Sequence, residues 1–235
     1  MFATEKGLLE ETLIVVPTAE LTQERILSLL DGTKCSVVII ASVVPWAAAL
    51  MQSAFAAHGT KVWMLNADTS VDGLVYDYPG IATLGADRVA NIIAAARYYP
   101  LPCIAIDAGT AVTYDVVLPS EQGACYVGGT IAPGISTMLT SLNKGTAMLP
   151  HVEVESPVAP IGKSTSEAIQ AGVFWGAKGM VESLVRQVEQ VCGPMASIIM
   201  TGGDARLLAS VLPCVTQVDE WLTFRGLWQV AQSLR

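Results

Sequence analysis

CIAIDAGTAVTYDVVL, residues 103–118, is the stretch whose reading decides the fold. Four apolar residues lead to a carboxylate, Asp107; the chain turns at Gly109 and resumes in the β-branched run Val112–Leu118. Apolar strand, glycine turn and second strand make a hairpin, and the polar connector LPSEQG at 118–123 leads on to a third strand, Cys125–Ile131. This antiparallel meander predicts the opening of a second unit, with a division near residue 105 into 1–105 and 106–235. Outward from it, further strands are predicted at Leu13–Val16, Val37–Ser42, Lys61–Leu65 and Ser197–Thr201. Between them lie helical patterns at Leu21–Leu30, Trp46–His58, Ala86–Tyr98, Ile135–Leu142 and from about Thr165 to Val191. Ser164 three residues before Glu167 is a capping-box start for the longest helix. Alternation of the two kinds of element predicts an α/β fold.

Composition narrows the function classes. Hydrophobic residues make up 52% of the chain and charged ones 14%, enough apolar surface to exclude disorder. A net charge of −8 disfavours nucleic acid and anionic membranes as partners, so an anionic ligand has to be held locally. No apolar run approaches the ~20 residues of a membrane span, and MFATEKGLLEE carries acids where a signal peptide has a basic segment. A cytoplasmic, soluble protein is expected. The five cysteines lack a CxxC pair and read as reduced core residues, and the two histidines form no zinc pattern.

Several strand ends carry groups suited to chemistry. Asp107 with Gly109, Thr110 and Thr113 suits cation and phosphate binding, although a hairpin with a locally bonded Asp has the same sequence. GGTIAPG at 128–134 places three glycines between a strand and a helix, and TGGD at 201–204 places Gly202 and Gly203 there again. In GADR at 85–88, Asp87 and Arg88 open a helix whose dipole favours an ionised acid, which can accept a hydroxyl proton while Arg88 pairs with an anion. GKST at 162–165 imitates the end of a phosphate-binding loop, but Pro157 stands where that loop requires glycine. No GxGxxG follows a strand, which sets a dinucleotide-binding enzyme aside.

In this order GADR, DAGTAVTYD, GGTIAPG, GKST and TGGD resemble the type III pantothenate kinases, over roughly residues 10–230. The resemblance implies two RNase H-like domains of the actin-like ATPase kind, with mixed sheets flanked by helices, and a homodimer whose interface helps to build the substrate site. It implies transfer of the ATP γ-phosphate to pantothenate, with Mg²⁺ and a monovalent cation, K⁺ or NH₄⁺. By motif, Asp87 is the proton acceptor. Gly85, Ala86, Asp87 and Arg88 line pantothenate together with a tyrosine, Tyr76 in preference to Tyr78. Thr165 contacts substrate across the site, Asp107 holds the monovalent cation, and Gly109, Thr110, Gly202 and Gly203 face ATP. The family also opens with a DxGN strand, and this sequence contains no DxGN. A missing first strand is therefore expected, from a start assigned too far downstream, a shortened chain or a degenerate paralogue, and with it poor turnover. A non-catalytic pantothenate- or nucleotide-binding paralogue is the alternative.

Overall fold

The computed structural model describes residues 1–30, 33, 35–69, 71–145 and 149–234. β6 (Cys103–Ala108), β7 (Ala111–Ser120) and β8 (Gly123–Pro133) form the expected antiparallel meander. β9 (Ser197–Thr201) joins parallel to β6, the short β10 (Gln217–Val218) joins β9, and β5 (Leu74–Tyr76) joins parallel to β8. The six-stranded order is β10-β9-β6-β7-β8-β5, so this mixed sheet draws one strand from before residue 105.

Two cores lie on the two faces of this sheet because its strands alternate side chains. On one face Cys103, Ala105, Val117, Tyr126 and Ile199 pack under α3 (Ala86–Tyr98) and α7 (Leu222–Ser233). On the other, Ile104, Ile106, Val112, Tyr114 and Met200 pack under α5 (Thr165–Cys192), α4 (Ile135–Gly145) and α6 (Ala205–Ala209). A β-bulge decides which β8 residues go where: Val116 pairs with Gly128 and Val117 with Tyr126, skipping Val127. Gly128 adopts φ +117° at that point, a conformation open to glycine. Tyr126 consequently shares the face of Asp115, while Val127 packs into the opposite core.

α3 is buried along eight residues, Ala86, Val89 to Ala95, which its alanine-rich sequence permits because small side chains let the helix lie close to the sheet. Gly226 of α7 abuts the α3 main chain at Ala90. α5 begins as the capping pattern predicts: Ser164 Oγ accepts from the Glu167 amide at 3.2 Å, and Glu167 Oε2 accepts from the Lys163 amide at 2.6 Å.

Before the six-stranded sheet, β1 (Phe2–Thr4) and β2 (Gly7–Leu9) form a hairpin, and β3 (Val37–Ile40) pairs in parallel with β4 (Lys61–Met64). α1 (Gln23–Ser28) and α2 (Pro45–Ala57) cover that pair around Ile26, Leu30, Ile40, Ala54 and Phe55. The strand predicted at Leu13–Val16 does not form; Val15 is 82% exposed. An apolar run becomes a strand only where a neighbour takes its backbone groups, and among the described residues none does so here. All five cysteines are free, as expected: Cys103 is fully buried, Cys35, Cys192 and Cys214 are half-buried against the cores, and Cys125 is half-buried apart from them. Burial pushes the Cys103 thiol up to about 12.

Candidate active site

α3 lies across the sheet face that carries Asp107, Thr113 and Asp115, and its first two turns aim polar side chains at those carboxylates. Arg88 and Asn91 stand three residues apart, on one side of the helix. Arg88 grips Asp115 through Nη2 at 2.6 Å and Nε at 3.0 Å from Oδ1, and Nη2 also donates to the Tyr126 hydroxyl at 3.0 Å. Asp115 is wholly enclosed. Burial pushes its carboxyl up to about 6, while Arg88 and Tyr126 pull it the other way. Gly129, opposite Asp115 in the ladder, leaves room for the guanidinium: a Cβ there would stand 3.2 Å from Arg88 Nη2 and collide with the Tyr114 carbonyl.

Three tyrosines wall the ion pair. Tyr76 and Tyr78 each set an edge against Tyr126, with ring centroids 5.9 and 5.4 Å away. The Tyr76 hydroxyl is enclosed without a hydrogen-bond partner among the described residues, and burial with the charge of Asp115 pushes it up to about 12.

One helical turn along, Asn91 Nδ2 donates to Asp107 Oδ2 at 3.0 Å, and Thr223 of α7 donates to Asn91 Oδ1 at 2.7 Å. Burial raises the Asp107 pKa, Asn91 opposes the rise and the charge of Asp87 adds to it, so the two acids feel each other. Thr113 is the ladder partner of Asp107, and its buried hydroxyl has no partner among the described residues. Gly202, at φ +95°, folds the TGGD turn over Asp107; a Cβ there would stand 2.5 Å from Asp107 Oδ1. Beside it the Gly109–Thr110 turn meets the end of β8: Thr110 O accepts from the Gly134 amide at 2.9 Å and from Thr137 Oγ1 at 2.6 Å. A Cβ on Gly134 would collide with the Gly109 carbonyl, so close backbone packing accounts for that glycine.

At the start of α3, Gly85 is an N-cap without a side-chain bond. Asp87 Oδ1 instead accepts from the Arg88 amide at 2.8 Å, and Ala86 is buried beneath. Asp87, Arg88, Asp107, the Gly109–Thr110 turn and Gly202–Gly203 thus gather where α3 begins and where β6, β8 and β9 end. Thr165 does not join them within the chain. It is exposed at the head of α5, in a groove of about 680 Å³ between α4 and α5, in the layer on the opposite face of the sheet.

Asp115, Tyr126, Asn91, Thr223 and Gly129 support Arg88 and Asp107 here; the sequence shows Asp115 and Gly129 only as members of DAGTAVTYD and GGTIAPG and assigns nothing to Tyr126, Asn91 or Thr223. Asp115 alone left a signal there: an acid inside the strand TYDVV must find a partner if that strand is buried on both faces.

A mixed sheet covered on both faces, with carboxylates and glycine turns gathered at one end of its strands, defines an α/β enzyme of the ligand-at-strand-ends kind. The family model of type III pantothenate kinase matches residues 14–187. A type III pantothenate kinase of Akkermansia muciniphila is 37% identical over 219 residues, covering 91% of this chain and 85% of that protein. The one from Paramagnetospirillum magneticum is 36% identical over 213 residues, covering 89% and 80%. Among solved structures, a Campylobacter jejuni protein described as a Baf family transcriptional activator superposes with a TM-score of 0.60 at 20% identity, over 91% of this chain and 89% of that one, and shows the shared fold. The chain belongs to the type III pantothenate kinase family.

Proposed function

We propose that this protein transfers the γ-phosphoryl group of ATP to the terminal hydroxyl of pantothenate, giving 4'-phosphopantothenate, the first step of coenzyme A synthesis. Family membership supports a kinase over a non-catalytic binding paralogue. The observation that carries the reading is the position of Asp87, in the first turn of α3 beside a fixed Arg88 and within electrostatic reach of Asp107.

In the reaction the hydroxyl oxygen attacks the γ-phosphorus, the bond to the bridging oxygen breaks, and ADP leaves with that electron pair. The hydroxyl proton passes to Asp87, whose Oδ1 is occupied by the Arg88 amide and whose Oδ2 is the acceptor. Arg88 pairs with the pantothenate carboxylate, with Gly85, Ala86 and Tyr76 lining that substrate. Gly109, Thr110, Gly202 and Gly203 present backbone to the nucleotide. Phosphoryl transfer needs positioning and charge neutralisation more than covalent chemistry, which suits these parts.

Asp107, with the orphaned Thr113 hydroxyl opposite, is an oxygen set that fits a monovalent cation such as K⁺ or NH₄⁺. A cation held there supplies positive charge beside the transferring group. Mg²⁺ belongs in this reading with the ATP phosphates, since it keeps several waters and is commonly held by one or two carboxylates together with substrate phosphates. A homodimer completes the site. Thr165, Ala168, Gly172, Gly176 and Gly179 form an exposed line of small side chains along α5, which suits close helix packing against a second copy and would deliver Thr165 across the site. Among the described residues no helix is long and apolar enough to cross a membrane, and we take the reaction to run in the cytoplasm.

The test is coupled ADP release with pantothenate, ATP, Mg²⁺ and K⁺. Asp87→Asn is expected to lower kcat by about 10²- to 10⁴-fold while ATP binding by calorimetry persists. Full turnover by Asp87→Asn, or no pantothenate-dependent ADP release by either the unaltered chain or a version extended upstream with a DxGN strand, overturns the reading.

A further inference from the structure

Arg88 has one edge of its guanidinium occupied and one end open. Nε and Nη2 are bound by Asp115 and Tyr126, and among the described residues Nη1 has no recorded partner. Burial follows the same division: the Asp115 side chain is 1% exposed and that of Arg88 11%, so the carboxylate lies inside and the arginine reaches out past it. An arginine near a surface otherwise samples many rotamers, and fixing it in advance removes an entropic cost from binding.

We propose that Asp115 is a positioning residue, which with Tyr126 anchors the Nε–Nη2 edge of Arg88 so that its Nη1 end is presented to the carboxylate of the acceptor substrate. The proposal rests on the pantothenate kinase reading and adds to it the group that makes Arg88 a shaped anion receptor. Three features of the sheet serve this one contact. The bulge at Val127 brings Tyr126 onto the face of Asp115. Gly129 clears the space that Nη2 fills, since a Cβ there would stand 3.2 Å away. Tyr78 and Tyr76 hold the Tyr126 ring between them and leave its hydroxyl free to meet the arginine. A surface ion pair contributes little and needs none of this support; a buried carboxylate is costly to enclose, and its partner must be held in one geometry. Lysine cannot substitute, because only the planar fork binds Asp115 along one edge while offering another end.

The experiment combines steady-state kinetics with ¹⁵N NMR of arginine Nε–H groups in the full chain. Losing a charged anchor is expected to raise KM for pantothenate in Asp115→Asn by about tenfold or more. The same variant keeps kcat at saturating pantothenate within about threefold and KM for ATP within about twofold, and its Arg88 Nε–H signal exchanges rapidly with water. An unchanged pantothenate KM with the Arg88 signal lost overturns the proposal. So does a parallel worsening of kcat and both KM values, which marks a general scaffold defect. Should Asp115→Asn fail to fold, Tyr126→Phe removes only the hydroxyl; a severalfold rise in pantothenate KM sustains the proposal and an unchanged KM overturns it. The unaltered chain separates the two ideas. If neither it nor a version extended upstream with a DxGN strand shows pantothenate-dependent turnover, the kinase reading fails, and the NMR signal then decides Asp115 alone: a slowly exchanging Arg88 Nε–H that survives in Asp115→Asn overturns its role.

Discussion

Asn91 joins Asp107 to Thr223: its amide nitrogen donates to the Asp107 carboxylate at 3.0 Å and its amide oxygen accepts from the Thr223 hydroxyl at 2.7 Å. A candidate cation ligand on β6 is thereby tied, through a fully buried residue of α3, to the last helix of the chain. Asn91→Leu keeps the volume but strips both neighbours of their partner. It is expected to cost about 2–4 kcal/mol in urea denaturation, less than the full sum for two fully buried polar groups at about 1–3 kcal/mol each, because Asp107 and Thr223 are half-buried. Thr223→Val removes one of those orphans, so the cost of Asn91→Leu falls when measured on that background; equal costs on both backgrounds would show the chain of bonds to be uncoupled.

Gly226 and Ala90 set the distance between α7 and α3. A Cβ on Gly226 would meet the Ala90 carbonyl well inside van der Waals contact, and main chain cannot step aside as a flexible side chain does. Gly226→Ala is expected to destabilise the fold by about 1–3 kcal/mol, the usual range for forced overpacking. The strain falls on the helix that carries Thr223 and whose Trp228 donates to Thr4 of the N-terminal hairpin at 2.9 Å. Proteolysis near residues 1–9 should accelerate in this variant, and an unchanged midpoint in urea counts against the packing argument.

Gly176 on α5 is the opposite case. Among the described residues nothing lies within 4 Å of a Cβ placed there, so the first side-chain atom at this position meets no neighbour within the chain. If the small-residue line of α5 meets a second copy, Gly176→Leu separates the helices. Sedimentation should then show a monomer with reduced turnover, whereas an intact dimer of full activity would place the interface elsewhere.

Asp115 makes stability depend on pH with a definite sign. Its folded pKa, about 6, lies above the value of roughly 4 for a free aspartate, so the folded state holds this proton more tightly than the unfolded chain does. Its contribution is full below about pH 4 and is lost as pH rises toward 6. Urea midpoints between pH 4 and 6 are expected to fall less steeply with rising pH in Asp115→Asn than in the unaltered chain. In the same window the Arg88 anchor ionises, so pantothenate KM should improve as pH climbs through 6; a flat KM across that range contradicts the link between the two.

Local rules made much of the fold legible. Residues 103–131 announce their hairpins through apolar runs broken by glycine and polar turns, and α3 and α5 begin where Gly85 and Ser164 predict. The elements that escaped are those whose form depends on a distant partner. β5 is three residues of LVY that become a strand by pairing with β8, and α7 carries Thr, Phe and Gly among its first five residues, a poor helix sequence stabilised by packing on α3. Leu13–Val16 shows the converse: strand-like composition without a neighbour to complete the ladder.

The site divides in the same way. Sequence by itself determined the α/β class, the order of the motifs and the presence of Asp87, Arg88 and Asp107, because spacing and residue type are local properties. Tertiary structure alone decided that Arg88 is spoken for by Asp115 across 27 residues, that a bulge sends Tyr126 rather than Val127 to join them, and that Thr165 stands on the far side of the sheet. Which face a side chain takes depends on strand register, and one extra residue in a strand reverses it; that is a property of the pairing, which neither strand encodes alone.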